Sequence, residues 1–214
     1  MAAESSTATV TSEDALRALY DPPLERAVRK QLSRLDDYCK RFIALSPFVC
    51  LATADADGRI DVSPRGDAPG FVEVVDDRTL MIPDRRGNNR LDSLANIIAN
   101  PQVGLLFMVP GIDETVRVNG RAAIVRDPDM LARFAAHGRA PAVAIRVEVS
   151  EAFFHCAKAF IRARLWAPDA HIGRAALPGL GRIIAEQIAG RPVPENEAHA
   201  ADAAIDEGYR TRLY

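Results

Sequence analysis

Two polar, arginine-containing stretches have the residue types that bind a phosphate group. The first is the loop Pro83-Asp84-Arg85-Arg86-Gly87-Asn88-Asn89-Arg90, which directly precedes a predicted helix. Arginines donate charge-assisted hydrogen bonds to phosphate, and the unsatisfied N–H groups at the start of a helix favour an anion. Glycine in the loop permits a close approach. The loop therefore predicts a phosphate-monoester site; the alternative is a solvated loop whose asparagine caps the helix.

The second stretch, Ser63-Pro64-Arg65-Gly66-Asp67, ends a predicted strand. Its hydroxyl and guanidinium groups could meet the first loop across a barrel, although the same residues also form ordinary polar turns.

A third group of residues follows Ser150. If this segment is helical, His155, Lys158 and Arg162 share one face, because they are spaced by three and four residues. A cationic face that ends at the indole of Trp166 suits an anionic, planar ligand, and we interpret these four residues as a substrate rim. The alternative is a solvated helix face with the indole packed in the core.

Other chemistries lack their patterns. The sequence has no nucleophile-elbow, P-loop or dinucleotide-binding motif, and its four histidines lack metal-ligand spacing, so no metal is predicted. Three widely spaced cysteines argue against a disulfide framework. A net charge of −2 gives no reason to expect a nucleic-acid or membrane partner.

The N-terminus does not resemble a signal peptide and the apolar runs are short, so we expect a cytoplasmic protein.

The order of predicted elements favours a mainly β, α+β fold. We expect a short helix after Ser12 and then one long amphipathic helix, opened by Asp21-Pro22, that buries a stripe from Leu24 to Ile43. Strands in closely connected hairpins follow, with Gly120 as a bulge, and they indicate an antiparallel barrel rather than a doubly wound sheet. The predicted strands are FVCLATA, RIDVS, FVEVV, TLMIP, VGLLFMV, TVRVNGRAAIV and AVAIRVEVS.

The chain divides into three predicted parts. Residues 1–45 form an N-terminal helical segment, residues 46–166 a split-barrel domain, and residues 167–214 a helical or mobile C-terminal extension.

The segments SPFVCLATADADGRIDVSPRGDAPGFV, RTLMIPDRRGNNRLDSLANIIANPQVGLLFMVPG and ETVRVNGRAAI resemble the pyridoxamine 5′-phosphate oxidase-related FMN-binding family, in its bacterial branch of FMN-dependent enzymes. The later segment FFHCAKAFIRARLW is similar to that branch as well. The resemblance implies a six-stranded antiparallel split β-barrel. It also implies a homodimer with two FMN sites at the subunit interface.

By position, the resemblance assigns the phosphate and the ring of FMN to two groups of residues. Where the oxidase commonly carries Ser-Arg-Lys, this chain has Asn88-Asn89-Arg90, so Arg85 or Arg65 must supply the second cation. The oxidase's substrate-binding Arg-x-His has no clean counterpart here. The residues implied for the phosphate are Ser63, Arg65, Arg85, Asn88, Asn89 and Arg90. Those implied for the ring are Val62, Ser63, Pro64, Ile82 and Pro83.

Two classes of function remain open from the sequence. The first is an FMN-dependent oxidoreductase acting on a small planar substrate, in which the protein binds and orients the cofactor. The second is a non-catalytic protein of the same fold that binds or stores flavin, F420 or haem.

Overall fold

The protein folds around one antiparallel sheet in a computed structural model that describes residues 9–213. The first eight residues of the predicted N-terminal segment and the last residue of the C-terminal extension lie outside this description. None of the helices within residues 9–213 is long and apolar enough to cross a bilayer.

Seven strands form the sheet, in the spatial order β2-β1-β5-β6-β7-β4-β3. The paired neighbours are all antiparallel, so the predicted α+β class is confirmed. The resemblance implied six strands, whereas the structure has seven because the two-residue β3 pairs with β4. Closure into a barrel stays a prediction. The strands are β1 Phe48–Ala54, β2 Ile60–Gly66, β3 Glu73–Val74, β4 Thr79–Pro83, β5 Gln102–Val109, β6 Ile112–Val125 and β7 Ala144–His155.

Alternation along the strands places the core on one side of the sheet. Val49, Leu51, Leu105, Phe107 and Val118 are buried together there. The predicted bulge is confirmed, since the register between β6 and β7 shifts at Asn119–Gly120. The α-helices are α1 Glu13–Arg17, α2 Glu25–Arg29, α3 Asp37–Leu45, α4 Asp92–Ala99, α5 Pro128–Arg133, α6 Lys158–Ala163, α7 Leu180–Ala189 and α8 Glu195–Thr211.

The single long N-terminal helix was a wrong prediction. The chain leaves the helix after α2, and Leu32 exchanges two backbone hydrogen bonds with Ala152 of β7, at 3.0 and 2.8 Å. A new helix, α3, then begins where the Asp36 side chain accepts a hydrogen bond from the Cys39 N–H at 2.8 Å. These tertiary hydrogen bonds override the helical periodicity, and Leu24 stays exposed while Cys39 is buried.

Helix α4 positions one wall of the candidate site. Its Ile97 packs into the core, and the helix contacts β1, β2 and β6. At the other end of the chain, α7 and α8 pack on each other. The C-terminal extension is therefore helical over these two elements, and its predicted mobility stays untested.

Candidate functional site

A cleft of about 620 Å³ lies where β2, the loop before α4 and the loop after α5 meet. Its volume falls within the range of small-molecule sites, roughly 300–1,000 Å³. The lining residues are Asp61–Arg65 from β2, Asp84–Leu94 from the loop and the first turn of α4, and Arg139–Ala142 from the loop after α5.

Eight of the ten predicted cofactor-binding residues line this cleft: Val62, Ser63, Pro64, Arg65, Arg85, Asn88, Asn89 and Arg90. The two arginine-containing stretches therefore meet in space, as the sequence analysis expected. Ile82 and Pro83 do not line the cleft. Ile82 is fully buried in the core and Pro83 is buried beside Ala144 of β7, because β4 lies between β3 and β7.

The edge of β2 offers backbone groups to the cleft. Asp55 donates its N–H to the Arg59 carbonyl at 2.9 Å, and Asp67 donates to the Pro47 carbonyl at 3.1 Å. Hydrogen-bonded and non-hydrogen-bonded pairs alternate along an antiparallel ladder. Arg59 and Asp67 are in hydrogen-bonded pairs, and Val62 lies an odd number of residues from each of them. The N–H and C=O of Val62 therefore point away from β1. Since β2 ends the sheet, both groups are available at its free edge.

A proline two residues later fits the same geometry. Pro64 has no N–H to donate, and its register position also turns the missing donor away from β1. The proline therefore removes no hydrogen bond between β1 and β2. The Pro64 carbonyl faces the free edge, beside the Val62 peptide.

A hydroxyl network joins β2 to the first turn of α4. The Ser63 and Ser93 hydroxyl oxygens are 3.0 Å apart, and Ser93 donates to an Asp61 carboxylate oxygen at 3.0 Å. Ser93 is almost fully buried, so this network fixes the position of the helix start against the strand.

Two arginines of the cleft are held by carboxylates. The Arg65 guanidinium contacts Asp84 at 2.6 Å and donates to the Ser63 hydroxyl at 3.3 Å. Arg85 contacts Asp67 at 2.6 Å and donates to the Phe134 carbonyl at 2.6 Å. Both arginines are mostly buried, so their orientations are fixed before any ligand binds.

Arg90, like Arg86, is an exposed cation of the loop. It contacts Asp92 at 2.8 Å, and this carboxylate raises the pKa of the guanidinium, which stays charged. Its backbone N–H donates to the Asn88 side chain at 3.0 Å. Asn89 and Leu91 have positive φ angles of 59° and 62°, which a leucine adopts at a cost of roughly 1–2 kcal/mol. The loop before α4 is thus bent into a conformation that exposes its backbone to the cleft.

The charge of the lining suits an anion. Five arginines and three aspartates line the cleft, and Asp67, just outside the lining, offsets one more positive charge at Arg85; the net positive charge that is left favours an anion. Guanidinium, amide and hydroxyl donors are the groups that bind phosphate, and the cleft volume accommodates a ring system beside it. The residues present therefore fit a nucleotide such as FMN.

The predicted substrate rim is not a single helix face. His155 ends strand β7, whereas Lys158 and Arg162 lie on α6, so the prediction that the three share a helix face was wrong. The strand continues because β6 pairs with it as far as Thr115–His155. The Trp166 indole N–H donates to the Ile112 carbonyl at 3.0 Å and its ring lies 5.7 Å from that of Phe160. None of these residues lines the cleft.

Sequence reasoning missed several lining residues. Asp61 and Ser93 complete the hydroxyl network, and residues 139–142 reach the cleft from the loop after α5. The serine in the first turn of a predicted helix was a usable signal. The 139–142 segment gave none, because its position depends on contacts that are distant in sequence.

The structure is an α+β protein in which the edge of an antiparallel sheet meets an arginine-rich loop at a cleft of about 620 Å³, the candidate anion-binding site. The chain belongs to the pyridoxamine 5′-phosphate oxidase-like FMN-binding split-barrel family: the family model "Pyridoxamine 5′-phosphate oxidase" matches residues 35–156. No curated protein matches the chain.

Several solved structures are similar. A proposed pyridoxamine 5′-phosphate oxidase from Lactobacillus delbrueckii is 25% identical, with a TM-score of 0.45, and the match covers 58% of this chain and 98% of that one. HupZ from Group A Streptococcus is 22% identical, with a TM-score of 0.45 and coverage of 56% and 93%. An F420 reductase is 20% identical, with a TM-score of 0.41 and coverage of 56% and 98%.

Proposed function

We propose that this protein is an FMN-dependent oxidoreductase that acts on a small planar substrate. The observation that carries the proposal is the convergence of β2 and the loop before α4 on one cleft that is lined by five arginines and three aspartates. In this proposal Arg90, Asn88 and Asn89 bind the phosphate of FMN, while Arg65 and Arg85 add charge from the wall.

The free edge of β2 supports a flavin ring in the same cleft. The Val62 peptide offers one N–H donor and one C=O acceptor to the cleft side. The pyrimidinedione edge of an isoalloxazine presents carbonyl, N–H and carbonyl groups in a row, so it can accept from and donate to this one residue. Bound FMN would supply the hydride or electron transfer, and the chain would bind the ring and fix its orientation.

We propose that the partner is a second copy of the chain. Apolar side chains stay exposed on the two elements that contribute to the cleft, among them Ile60 and Val62 on β2, at 77% and 60%, and Ile98 on α4, at 78%. A homodimer through β2 and α4 would cover these side chains and place the cofactor at the interface. Light scattering tests this: Ile60→Asp should shift the mass toward the monomer, and an unchanged dimer would contradict the proposed face.

F420 is the second candidate cofactor. Its deazaflavin ring has the same pyrimidinedione edge, and five arginines are more than one phosphate monoester uses. The described residues that line the cleft include no histidine, so we do not extend the proposal to haem ligation. A protein that binds either cofactor without turnover is distinguished by spectroscopy: the bound cofactor of an oxidoreductase is reduced by a donor such as NAD(P)H and is reoxidised.

Arg90→Ala tests the phosphate assignment, with Arg59→Ala as the matched control. Both arginines are largely exposed, at 73% and 78% of the side chain, and both pair with aspartates near a turn, but Arg59 lies outside the cleft. A charge-assisted hydrogen bond contributes about 1.5–3 kcal/mol, so Arg90→Ala should lower the affinity for FMN roughly ten- to a hundredfold.

Riboflavin, which lacks the phosphate, is the comparison ligand for both variants. Its affinity should change little in Arg90→Ala, and Arg59→Ala should leave both ligands unaffected. If Arg90→Ala lowers the affinities for FMN and riboflavin equally, or leaves the affinity for FMN unchanged, the phosphate does not contact Arg90. Binding of F420 in preference to FMN would select the second candidate.

A further inference from the structure

A second cationic cluster lies on the sheet, four strands away from the cleft edge. It is centred on Phe153 of β7, whose ring has the Lys30 ammonium and the Arg117 guanidinium each 5.2 Å from its centroid. The His155 ring lies 4.9 Å from the same phenyl ring. Counted along the sheet at about 4.8 Å per strand, Phe153 is roughly 19 Å from β2, and the residues of the cluster do not line the cleft.

The backbone fixes Lys30 at this position. Leu32 and Ala152 exchange two hydrogen bonds, which attach the segment before α3 to the edge of β7. The Lys30 ammonium then donates to the Phe154 carbonyl at 2.6 Å, and the neighbouring Gln31 side chain bonds to Glu151. A lysine side chain loses considerable rotamer freedom when it is held in this way, so the position is specified by several contacts.

Arg117 is held from the other side. It lies directly opposite Phe153 across the β6–β7 ladder, and its guanidinium is 3.6 Å from Glu151. Glu151 also accepts a hydrogen bond from the Asn119 amide at 2.9 Å, and so is shared among three neighbours. An arginine at a cross-strand position beside an aromatic ring keeps its planar fork oriented.

The donors in this cluster exceed its acceptors. An ammonium has three N–H donors and a guanidinium has five, whereas their polar neighbours among residues 9–213 are one carbonyl and one carboxylate. Both cations are within 5.2 Å of one centroid, so they are at most about 10.4 Å apart. Lys158 adds a further charge at the start of α6, next to Cys156.

We propose that Lys30, Arg117 and His155 form an oxyanion-binding site around Phe153, which takes a phosphate or carboxylate group. A planar arginine fork, an ammonium and an imidazole each donate hydrogen bonds to oxyanions, and here all three surround one phenyl ring. Burial, Lys30 and Arg117 lower the pKa of His155, as expected of an imidazole in a positive local field. The site does not depend on the proposed flavin chemistry.

The pKa of His155 can be used to follow the binding of an anion at this site. We would follow the His155 ring by NMR as a function of pH, with inorganic phosphate or acetate added at constant ionic strength, and assign its signals with His155→Gln. A bound oxyanion favours the protonated imidazole, so the pKa of His155 should rise and saturate with the added anion. Whichever anion saturates at the lower concentration identifies the preferred group.

Arg117→Gln should weaken the binding of that anion about tenfold or more, which corresponds to the loss of one charge-assisted hydrogen bond. The matched control is Arg121→Gln, which removes the same charge from an exposed position on the same strand, away from the Phe153 ring. Lys30→Gln provides a second test if the first variant is poorly folded. The proposal is overturned if neither anion moves the His155 titration, or if both move it equally in wild type and Arg117→Gln.

Discussion

Replacement of Val62 by proline separates the role of the β2 edge in binding from its role in folding. The Val62 N–H points away from β1, so proline removes no hydrogen bond from the ladder. We expect the free energy of unfolding to change by less than about 1 kcal/mol, because proline is tolerated on the open side of an edge strand. The cleft, however, loses the donor that we assign to a ring carbonyl.

The magnitude follows from the type of bond. A neutral hydrogen bond contributes about 0.5–1.5 kcal/mol, so the dissociation constants of FMN and riboflavin should both rise roughly two- to twelvefold. Both ligands should be affected because the lost contact is to the ring. This outcome is opposite to that of Arg90→Ala, for which only the phosphorylated ligand should respond.

Ser63→Pro is the control for the strand. The Ser63 N–H faces β1, so its loss leaves the Leu51 carbonyl unpaired and should cost about 1–3 kcal/mol of stability. Fluorescence titration and thermal unfolding of both variants measure the two effects. Our assignment of the β2 edge is refuted if Val62→Pro destabilises the fold as much as Ser63→Pro, or if it leaves the affinity for both flavins unchanged.

Three further predictions concern stability. Arg65→Gln leaves the mostly buried Asp84 carboxylate without its 2.6 Å partner, and denaturant unfolding should show a loss of about 1–3 kcal/mol, below the 3–5 kcal/mol of a fully buried pair. Gly120→Ala places a methyl group on the Glu148 carbonyl oxygen and should lower the melting temperature by several degrees. His155 has a lowered pKa, so the unfolded chain binds more protons as the pH falls through 6.5; stability should decrease there, and His155→Gln should flatten that slope.

Controls for these variants come from the same structure. Asp84→Asn in the Arg65→Gln background should recover most of the lost stability, since it removes the unpaired charge; no recovery would show that the pair is unimportant. Gly104→Ala is the control for the bulge, because its added methyl group would meet Asn119 at an ordinary contact distance of 3.4 Å. Equal melting temperatures for the two glycine variants would contradict the close approach at the bulge.

Local sequence patterns predicted the strands of the sheet and the two arginine-containing stretches of the candidate site. Strand alternation and turn residues gave the positions of the strands, including the short Glu73–Val74. The two arginine-containing stretches were predicted to bind phosphate because cations and small polar residues cluster within each of them. Their convergence depended on the family resemblance.

Contacts between distant segments account for what the sequence did not reveal. Nothing near Leu32 indicates that it pairs with Ala152, and that pairing breaks the predicted N-terminal helix. His155 was assigned to a helix because Lys158 and Arg162 follow at helical spacing, whereas the β6 ladder extends the strand through it. Ile82 was assigned to the flavin by position, but its strand is buried between two others.

A crystal structure of the protein grown with FMN would test the central claim most directly. We predict that the phosphate lies in the cleft between β2 and the loop before α4, within about 3 Å of the Arg90 side chain and of loop amide groups. We also predict that the pyrimidinedione edge of the ring lies against Val62. A phosphate located outside this cleft, or a ring turned away from β2, would contradict the account.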